Sequence, residues 1–364
     1  MEENLTKTCL HDRHVALGAL MSPFGGFDMP IQYKGITEEH NAVRKNVGVF
    51  DVSHMGEVRV KGEDACKFVN HIFVNDVTGA PDGQIFYGMM CYDNGGTVDD
   101  LLVYKVNDTE YFLVINASNI DKDVEWIKRH AENYDVVIED QSPYYGEVAI
   151  QGPKAEENIV KVLGIDVEDI PFYNFKIFQL AGEDVIVSRT GYTGEDGFEI
   201  YGSHSFIREV WDKLIESGVQ PCGLGCRDTL RFEVGLPLYG DELSAEITPL
   251  EASLSMFVKL DKPEFIGKEA LALQKAEGVK RRIIGIELEG NAIPRHGYPV
   301  EVDGNKVGEI TTGYRSISTG KSVAMAMVDK PYDKLGTKVE VRIRKKTFPG
   351  TVVKKRFYDK NYKK

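Results

Sequence analysis

The pattern of apolar residues changes character near residue 280, and this change limits the folds open to the chain. Before that point, alternating segments typical of strands, such as EVRVKG at 57–62 and DLLVYKV at 100–106, are mixed with amphipathic helical segments. Strands and helices do not follow the regular alternation of a doubly wound sheet, so an α+β fold is predicted. After a predicted helix at 267–278, short strands predict a small antiparallel β-barrel or sandwich.

Further segments fill in the first region. The apolar alternation predicts strands at 84–92 and 111–117, and the latter forms a hairpin with 100–106. Amphipathic helices are predicted at 118–134, with Ser118 or Asn119 as the N-cap, and at 203–218. We therefore expect two units, residues 1–280 and residues 281–364.

Composition excludes several classes of protein. The 364 residues carry a net charge of −13, which disfavours a general nucleic-acid binder. No apolar run approaches the roughly 18 residues of a membrane span, and the polar start does not predict a secretory signal, so we expect no membrane association and a cytoplasmic location. Five cysteines predict reduced thiols, and neither the cysteines nor His11 and His14 show the spacing of a metal site.

Positive charge is concentrated at the C-terminal end. From Gly336 to Lys364 there are eleven Lys or Arg residues against Glu340 and Asp359, a net charge of +9, which leaves −22 on the rest. One hypothesis is that this basic segment receives an anionic partner, in which case binding should weaken with salt. The alternative is a solvated basic tail.

Four stretches combine glycines with polar residues beyond what turns require: FDVSHMGE at 50–57, GGTVDDLLVY at 95–104, RTGYTGEDGFEIYG at 189–202 and CGLGCRDTLRFEVGLPLYG at 222–240. In the third, strand alternation places Glu199 on the face opposite Phe198 and Ile200, where it points either into a pocket or to solvent. In the fourth, Arg227 and Asp228 fall in the first turn of a helix, as functional groups or as ordinary helix-start and surface charges.

These stretches, together with AIQGP, TPLEASL, GYPV and VGEITTG, occur in the order found in the aminomethyltransferase family, the T-protein of the glycine cleavage system. The chain resembles this family along nearly its whole length. The resemblance implies a three-lobed fold, with two interleaved α+β lobes in residues 1–280 around a tetrahydrofolate pocket and a C-terminal antiparallel β-barrel in residues 281–364. It also implies transfer of one carbon from the aminomethyl-dihydrolipoyl arm of H-protein to tetrahydrofolate, giving 5,10-methylenetetrahydrofolate, ammonia and dihydrolipoyl H-protein.

The same resemblance assigns roles to individual residues. Glu199 would accept hydrogen bonds from the N–H edge of the pterin. Asp100 would stabilise the positive charge that develops beside N10, which makes it the predicted catalytic residue, while Asp99 would complete the glycine turn. The other predicted folate contacts are Met55, Tyr87, Asn116, Arg227 and Tyr362, and no metal is expected.

Three alternatives stay open at this point. The first is a folate-binding assembly or modification factor of the same fold, although such proteins carry a KGCYxGQE element where this chain reads RTGYTGEDG. The second is the detached folate subunit of a dimethylglycine or sarcosine oxidase. The third is a non-catalytic binding module whose acidic face and basic tail contact partners.

Overall fold

The computed structural model describes residues 5–363. Within that range the chain forms nineteen strands and eight α-helices. The strands are β1 Leu20–Phe24, β2 Phe27–Gln32, β3 Gly48–Asp51, β4 Gly56–Lys61, β5 Ile85–Cys91, β6 Thr97–Asn107, β7 Glu110–Ile115, β8 Val137–Asp140, β9 Tyr145–Gln151, β10 Phe175–Leu180, β11 Glu183–Ser188, β12 Gly197–Ser203, β13 Gln220–Cys222, β14 Arg281–Leu288, β15 Pro299–Val302, β16 Asn305–Arg315, β17 Ser322–Asp329, β18 Lys338–Ile343 and β19 Lys346–Val353. The helices are α1 His11–Ala16, α2 Ile36–Lys45, α3 Ala65–Ile72, α4 Ile120–His130, α5 Ala155–Asn158, α6 His204–Glu216, α7 Leu224–Glu233 and α8 Lys268–Glu277.

Most of the strands belong to three β-structures. A five-stranded antiparallel sheet has the order β5-β6-β7-β4-β8, and a six-stranded sheet has the order β10-β11-β12-β9-β3-β13, in which only β13 runs parallel to its neighbour β3. The last six strands close an antiparallel barrel in which β14 pairs with both β17 and β19. The predicted α+β architecture with a C-terminal antiparallel barrel is confirmed.

Helices α6 and α4 each pack on one of the two sheets, as their apolar periodicity predicts. In α6, Val210, Trp211 and Leu214 are buried on the six-stranded sheet, and the Ser203 hydroxyl caps the helix by accepting from the Phe206 N–H at 3.2 Å. In α4, the apolar face packs on the five-stranded sheet. No helix within residues 5–363 is long and apolar enough to cross a bilayer.

The two sheets meet through an aromatic cluster on their inner faces. Tyr104 and Phe112 of the five-stranded sheet contact Tyr201 and Phe175 of the six-stranded sheet, with Tyr104 and Tyr201 ring centroids 5.8 Å apart. Backbone bonds join the sheets as well, since the Ile85 N–H donates to the Tyr173 carbonyl at 2.9 Å. This fixes the two walls of the space between them.

Helix α7 attaches the barrel to the same region. Its buried Arg231 donates to Glu242 at 2.8 Å, and Glu242 also accepts from the Thr312 hydroxyl of the barrel at 2.7 Å. Phe232 packs among barrel side chains, including Ile283 and Met325. Three elements therefore converge around one space, namely the two sheet faces and α7 with the barrel behind it.

One local prediction is wrong. Asp99 was expected to complete the glycine turn, but β6 begins at Thr97, so that Asp99 and Asp100 both lie in the strand. The turn is held instead by Asn94, whose side-chain oxygen accepts from the Gly96 N–H at 3.0 Å, with Gly95 in the left-handed region at φ +85°.

Candidate active site

A cavity of about 1280 Å³ opens between the two sheets, α7 and the C-terminal segment. Its volume exceeds the roughly 300–1,000 Å³ of a typical small-molecule pocket. The structure brings all seven predicted site residues to its lining: Met55, Tyr87, Asp100, Asn116, Glu199, Arg227 and Tyr362.

One side of the cavity, which we call the aspartate wall, is formed by Tyr87, Asp100 and Asn116. The Tyr87 hydroxyl donates to Oδ2 of Asp100 at 2.9 Å, and the Asn116 side-chain N–H donates to Oδ1 at 2.9 Å. Burial, and then the charge of Asp99, raise the pKa of Asp100 to about 7, although both hydrogen bonds favour its charged form. This carboxyl can therefore gain or lose a proton near neutral pH.

Asp99 lies behind the aspartate wall and holds Asn116 in place. Its side chain is fully buried and accepts from the Asn116 backbone N–H at 3.0 Å, the Asn116 amide at 2.8 Å and the Asn119 amide at 2.7 Å. Asn119 is the residue before α4, but its side chain donates to Asp99 and makes no capping hydrogen bond to the helix. Burial, and then Asp99, raise the pKa of the neighbouring Asp123 to about 10, so Asp123 is a neutral acid.

The opposite side, which we call the glutamate wall, is formed by Thr190 and Glu199. Phe198 and Ile200 are fully buried in the core of the six-stranded sheet, and Glu199 points the other way into the cavity, as strand alternation predicts. The Thr190 hydroxyl donates to Oε2 of Glu199 at 2.5 Å. Burial raises the pKa of Glu199, whereas Thr190 and Arg227 oppose that rise. Because Glu199 is only 5 % exposed, it does not belong to a solvated strand face.

Arg227 lies between the walls, in the N-terminal half of α7. Its guanidinium lies 4.9 Å from the ring centroid of Tyr192, and within residues 5–363 its buried Nη1 has no hydrogen-bond partner. A buried, unpaired guanidinium nitrogen that lines a cavity is a site for an acceptor group of a ligand. The next residue, Asp228, pairs with Arg231 at 2.7 Å and with the hydroxyl of Tyr314.

The C-terminal segment closes one end of the cavity. Tyr362 stacks on Phe172 with ring centroids 4.2 Å apart and lines the cavity. Part of the basic segment after Gly336 lines it too, namely Lys354, Lys355, Arg356 and Lys360. Other basic residues are engaged elsewhere, such as Arg342, which forms a two-point pair with Glu301 at 2.7 Å.

Sequence reasoning missed two buried polar residues of the lining, His54 and Glu147. His54 packs edge-on against Phe24, and burial lowers its pKa to about 4, so it is neutral. Glu147 belongs to β9 and is 2 % exposed. The available signal for Glu147 was a carboxyl within EVAIQ, a segment whose other residues read as a buried strand.

The described part of the chain shows no evident set of side-chain ligands for a metal ion. Among the described residues, no group of three or more His, Cys, Asp or Glu side chains is arranged to hold a metal ion. All five cysteines are free.

Comparison with known proteins identifies the family. Residues 10–262 match the model of the GCVT N-terminal domain, and residues 281–359 match that of the glycine cleavage T-protein C-terminal barrel domain. The chain belongs to the glycine cleavage T-protein family of aminomethyltransferases. The expected family, fold and enzyme class are therefore confirmed.

Individual members of the T-protein family match over their whole length. The aminomethyltransferase of Thermoanaerobacter pseudethanolicus is 50 % identical, with 100 % of each chain covered, and that of Alkaliphilus oremlandii is 49 % identical, with 99 % of each covered. The crystal structure of glycine cleavage system aminomethyltransferase T from Bartonella henselae superposes with a TM-score of 0.95 at 29 % identity, covering 99 % of this chain and 100 % of that one. This breadth favours the transferase over the three alternatives.

Proposed function

We propose that the chain transfers the carbon of an aminomethyl group from the dihydrolipoyl arm of H-protein to tetrahydrofolate. The products would be 5,10-methylenetetrahydrofolate, ammonia and dihydrolipoyl H-protein. The supporting observation is a single cavity lined by the half-buried Asp100 on one wall, the buried Glu199 on the other, and the unpaired Arg227 nitrogen. A cavity of about 1280 Å³ leaves room for a folate and the end of a lipoyl arm together.

The glutamate wall would bind the pterin. Glu199 accepts from Thr190 through Oε2, which leaves lone pairs on both oxygens for the pterin ring N–H and its exocyclic amine. Arg227 offers its unpaired Nη1 to an oxygen of the ligand. Met55, Tyr87 and Tyr362 would supply apolar and aromatic contacts to the flat rings, and Asn116 would line the pocket beside them.

The aspartate wall would serve the chemical step. Tetrahydrofolate supplies N5 and N10 as the acceptors of the carbon, and positive charge develops there during transfer. Asp100 is half-buried in the cavity lining and is held by two donors, and a negative charge fixed in this way stabilises a developing cation. With a pKa of about 7, the same carboxyl can also accept a proton.

The test is an assay with an aminomethyl-loaded lipoyl carrier, with and without tetrahydrofolate. Wild-type protein should release ammonia quickly only when tetrahydrofolate is present. Asp100→Asn should lower the rate of transfer tenfold or more, since carboxylate catalysis contributes on that scale, while circular dichroism shows an intact fold. Asp93→Asn, in the exposed part of the same glycine turn, is the matched control and should keep its rate. Normal turnover by Asp100→Asn would refute the catalytic assignment.

We also propose that residues 1–280 and 281–364 are separate domains. Helix α8 ends at Glu277 and the first barrel strand begins at Arg281, and the connecting residues Gly278 and Lys280 are exposed. Limited proteolysis should therefore cut first in this connection. Early cleavage inside the barrel or inside either sheet, with the connection intact, would contradict the division.

A further inference from the structure

A chain of four buried hydroxyl groups leads away from Glu199. Oε2 of Glu199 accepts from Thr190 at 2.5 Å, Thr190 contacts Ser188 at 2.6 Å, Ser188 contacts Tyr104 at 3.1 Å, and Tyr104 contacts Tyr201 at 2.9 Å. None of the four hydroxyl-bearing side chains is more than 2 % exposed. Almost none of their surface is accessible to water, so most of their hydrogen bonds must be made within the chain.

Strand register explains why these groups line up. Glu199 and Tyr201 lie two residues apart on one face of β12, while Tyr104 reaches in from β6 of the other sheet. On the far side of Tyr201, the directly opposite residue on β9 is Glu147. Side chains opposite each other in an antiparallel pair lie on the same face about 4.5–5.5 Å apart at Cβ. The observed hydroxyl chain therefore runs from Glu199 to Tyr201, and Glu147 is the neighbour of Tyr201 on the same face of the sheet.

The direction of donation is fixed by counting protons. Each hydroxyl has one proton, and Thr190 gives its proton to Glu199. Ser188 must then donate to Thr190, so Tyr104 must donate to Ser188, and Tyr201 must donate to Tyr104. The Tyr201 oxygen is left only as an acceptor. A Tyr201 hydroxyl that donated to Glu147 would lower the pKa of that carboxyl, but its proton is already committed to Tyr104.

Glu147 could donate a hydrogen bond to Tyr201 only as a carboxylic acid, because a carboxylate has no proton to give. It is 2 % exposed, and within residues 5–363 its Oε2 has no hydrogen-bond partner. Burial and then the charge of Glu199 raise its pKa well above the ordinary value, which fits a neutral acid. The titratable and charged groups that face Glu147 and Glu199 come from every surrounding element: Asp51, Glu57, Tyr104, Tyr173, Tyr201, Arg227 and Tyr362.

We propose that Glu147 is a positioning residue for Glu199: as an acid it donates to Tyr201 and polarises the hydroxyl chain, so that the two carboxyls hold one negative charge between them. This inference rests on the proposed function, in which Glu199 binds the pterin. It adds that the Glu199 carboxyl has two forms, one charged and one protonated. With the charge on Glu199, the carboxylate accepts from a ligand edge with two N–H groups. With the charge on Glu147, Glu199 becomes an acid that can itself donate.

The exchange between the two forms balances without any other reactant. The Glu147 proton passes to the Tyr201 oxygen, and Tyr201, Tyr104, Ser188 and Thr190 each pass their own proton onward. The last proton arrives on Oε2 of Glu199. Five O–H bonds break and five form, and the negative charge moves to Glu147. A bound reduced pterin, with its two N–H donors, holds the charge on Glu199.

Two variants of Glu147 separate this role from simple packing. Glu147→Gln keeps an N–H donor for Tyr201, whereas Glu147→Leu fills the space without one. We expect the Leu variant to bind tetrahydrofolate roughly threefold to tenfold more weakly than the Gln variant in calorimetry, the scale of one lost hydrogen bond. In a Tyr201→Phe background the difference between Gln and Leu should disappear, because the partner is gone.

Infrared spectroscopy tests the protonation state without any folate. The difference spectrum of wild type minus Glu147→Gln at pH 7 should contain the carbonyl band of a protonated carboxylic acid. A missing acid band, or equal affinities of the Gln and Leu variants, would overturn the proposal. If wild type shows the band and does not bind tetrahydrofolate, the hydroxyl chain stands and the proposed function falls.

Discussion

Each wall of the cavity carries one carboxyl, half-buried in Asp100 and buried in Glu199, yet the two walls stabilise it with different chemistry. On the aspartate wall, Asp100 is held by one phenol and one amide, and the amide of Asn116 is itself fixed by its hydrogen bond to Asp99 behind it. On the glutamate wall, Glu199 receives one hydroxyl that begins a chain of hydroxyls ending near a second carboxyl. Burial raises the pKa of both carboxyls.

This difference bears on what each wall can do. The Asn116 amide donates in a fixed direction and cannot pass a proton on, and the Tyr87 hydroxyl belongs to a residue of the cavity lining, so Asp100 gains or loses protons on the cavity side. A hydroxyl both donates and accepts, so Glu199 can instead exchange a proton with the protein interior through the hydroxyl chain. We infer that the aspartate wall is suited to exchanging protons with the reacting groups, and the glutamate wall to holding a ligand whose hydrogen-bond pattern selects the charge state.

The largest effect that should separate the walls comes from removing Glu199. Glu199→Ala deletes the proposed acceptor of two hydrogen bonds from the pterin edge, and hydrogen bonds to charged groups contribute about 1.5–3 kcal/mol each. We expect the Kd for tetrahydrofolate to rise at least tenfold, while kcat at saturating folate changes much less than in Asp100→Asn. Calorimetry and steady-state kinetics measure the two quantities.

A matched control is available on the neighbouring strand of the same sheet. Asp184→Ala removes an exposed carboxyl from β11 and should leave folate affinity unchanged. If Glu199→Ala bound tetrahydrofolate as tightly as wild type, the pterin edge would have to be placed elsewhere. A fall in kcat equal to that of Asp100→Asn, with unchanged Kd, would mean that the two walls do not divide the work.

The residues that line the two walls could be predicted from the sequence, but the hydrogen-bond partners that hold those residues could not. Strand alternation was enough to place Glu199 opposite Phe198 and Ile200, because the period of two is a local property of the chain. The barrel was predictable for the same reason. Family resemblance then named residues from β5, β6, β12 and α7 that the fold brings to one cavity.

What could not be predicted depends on contacts between distant segments. Asp99 looked like a turn residue because Asp is common in turns, and only the fold shows that Asn116 and Asn119 bind it inside the protein. Glu147 could not be linked to Glu199 from local pattern, since the link passes through Tyr104 of the other sheet. Local periodicity gives the face of a side chain, and tertiary packing decides its partner.

The role proposed for the aspartate wall can be tested by the pH dependence of the transfer activity. The pKa of Asp100 is raised to about 7, and the proposed stabilisation of positive charge requires its charged form. Lowering the pH through 7 should therefore remove activity, with kcat/KM falling about tenfold for each pH unit below the pKa. A plot of log kcat/KM against pH for wild type should show this acid limb, and the residual activity of Asp100→Asn should lack it.

The hydrogen bond from Asn116 to Asp100 should determine the pH at which the acid limb of the activity profile lies. Its amide favours the charged form of Asp100, so Asn116→Ala should raise the pKa of Asp100 and move the acid limb to higher pH by about half to one pH unit, the equivalent of one hydrogen bond. Asn119→Ala is the control, because Asn119 donates to Asp99 and not to Asp100. Because both direct hydrogen bonds to Asp100 are kept in this variant, the acid limb should stay in place. Equal upward shifts in both variants would show that general loosening of the wall, and not the direct bond to Asp100, controls its proton.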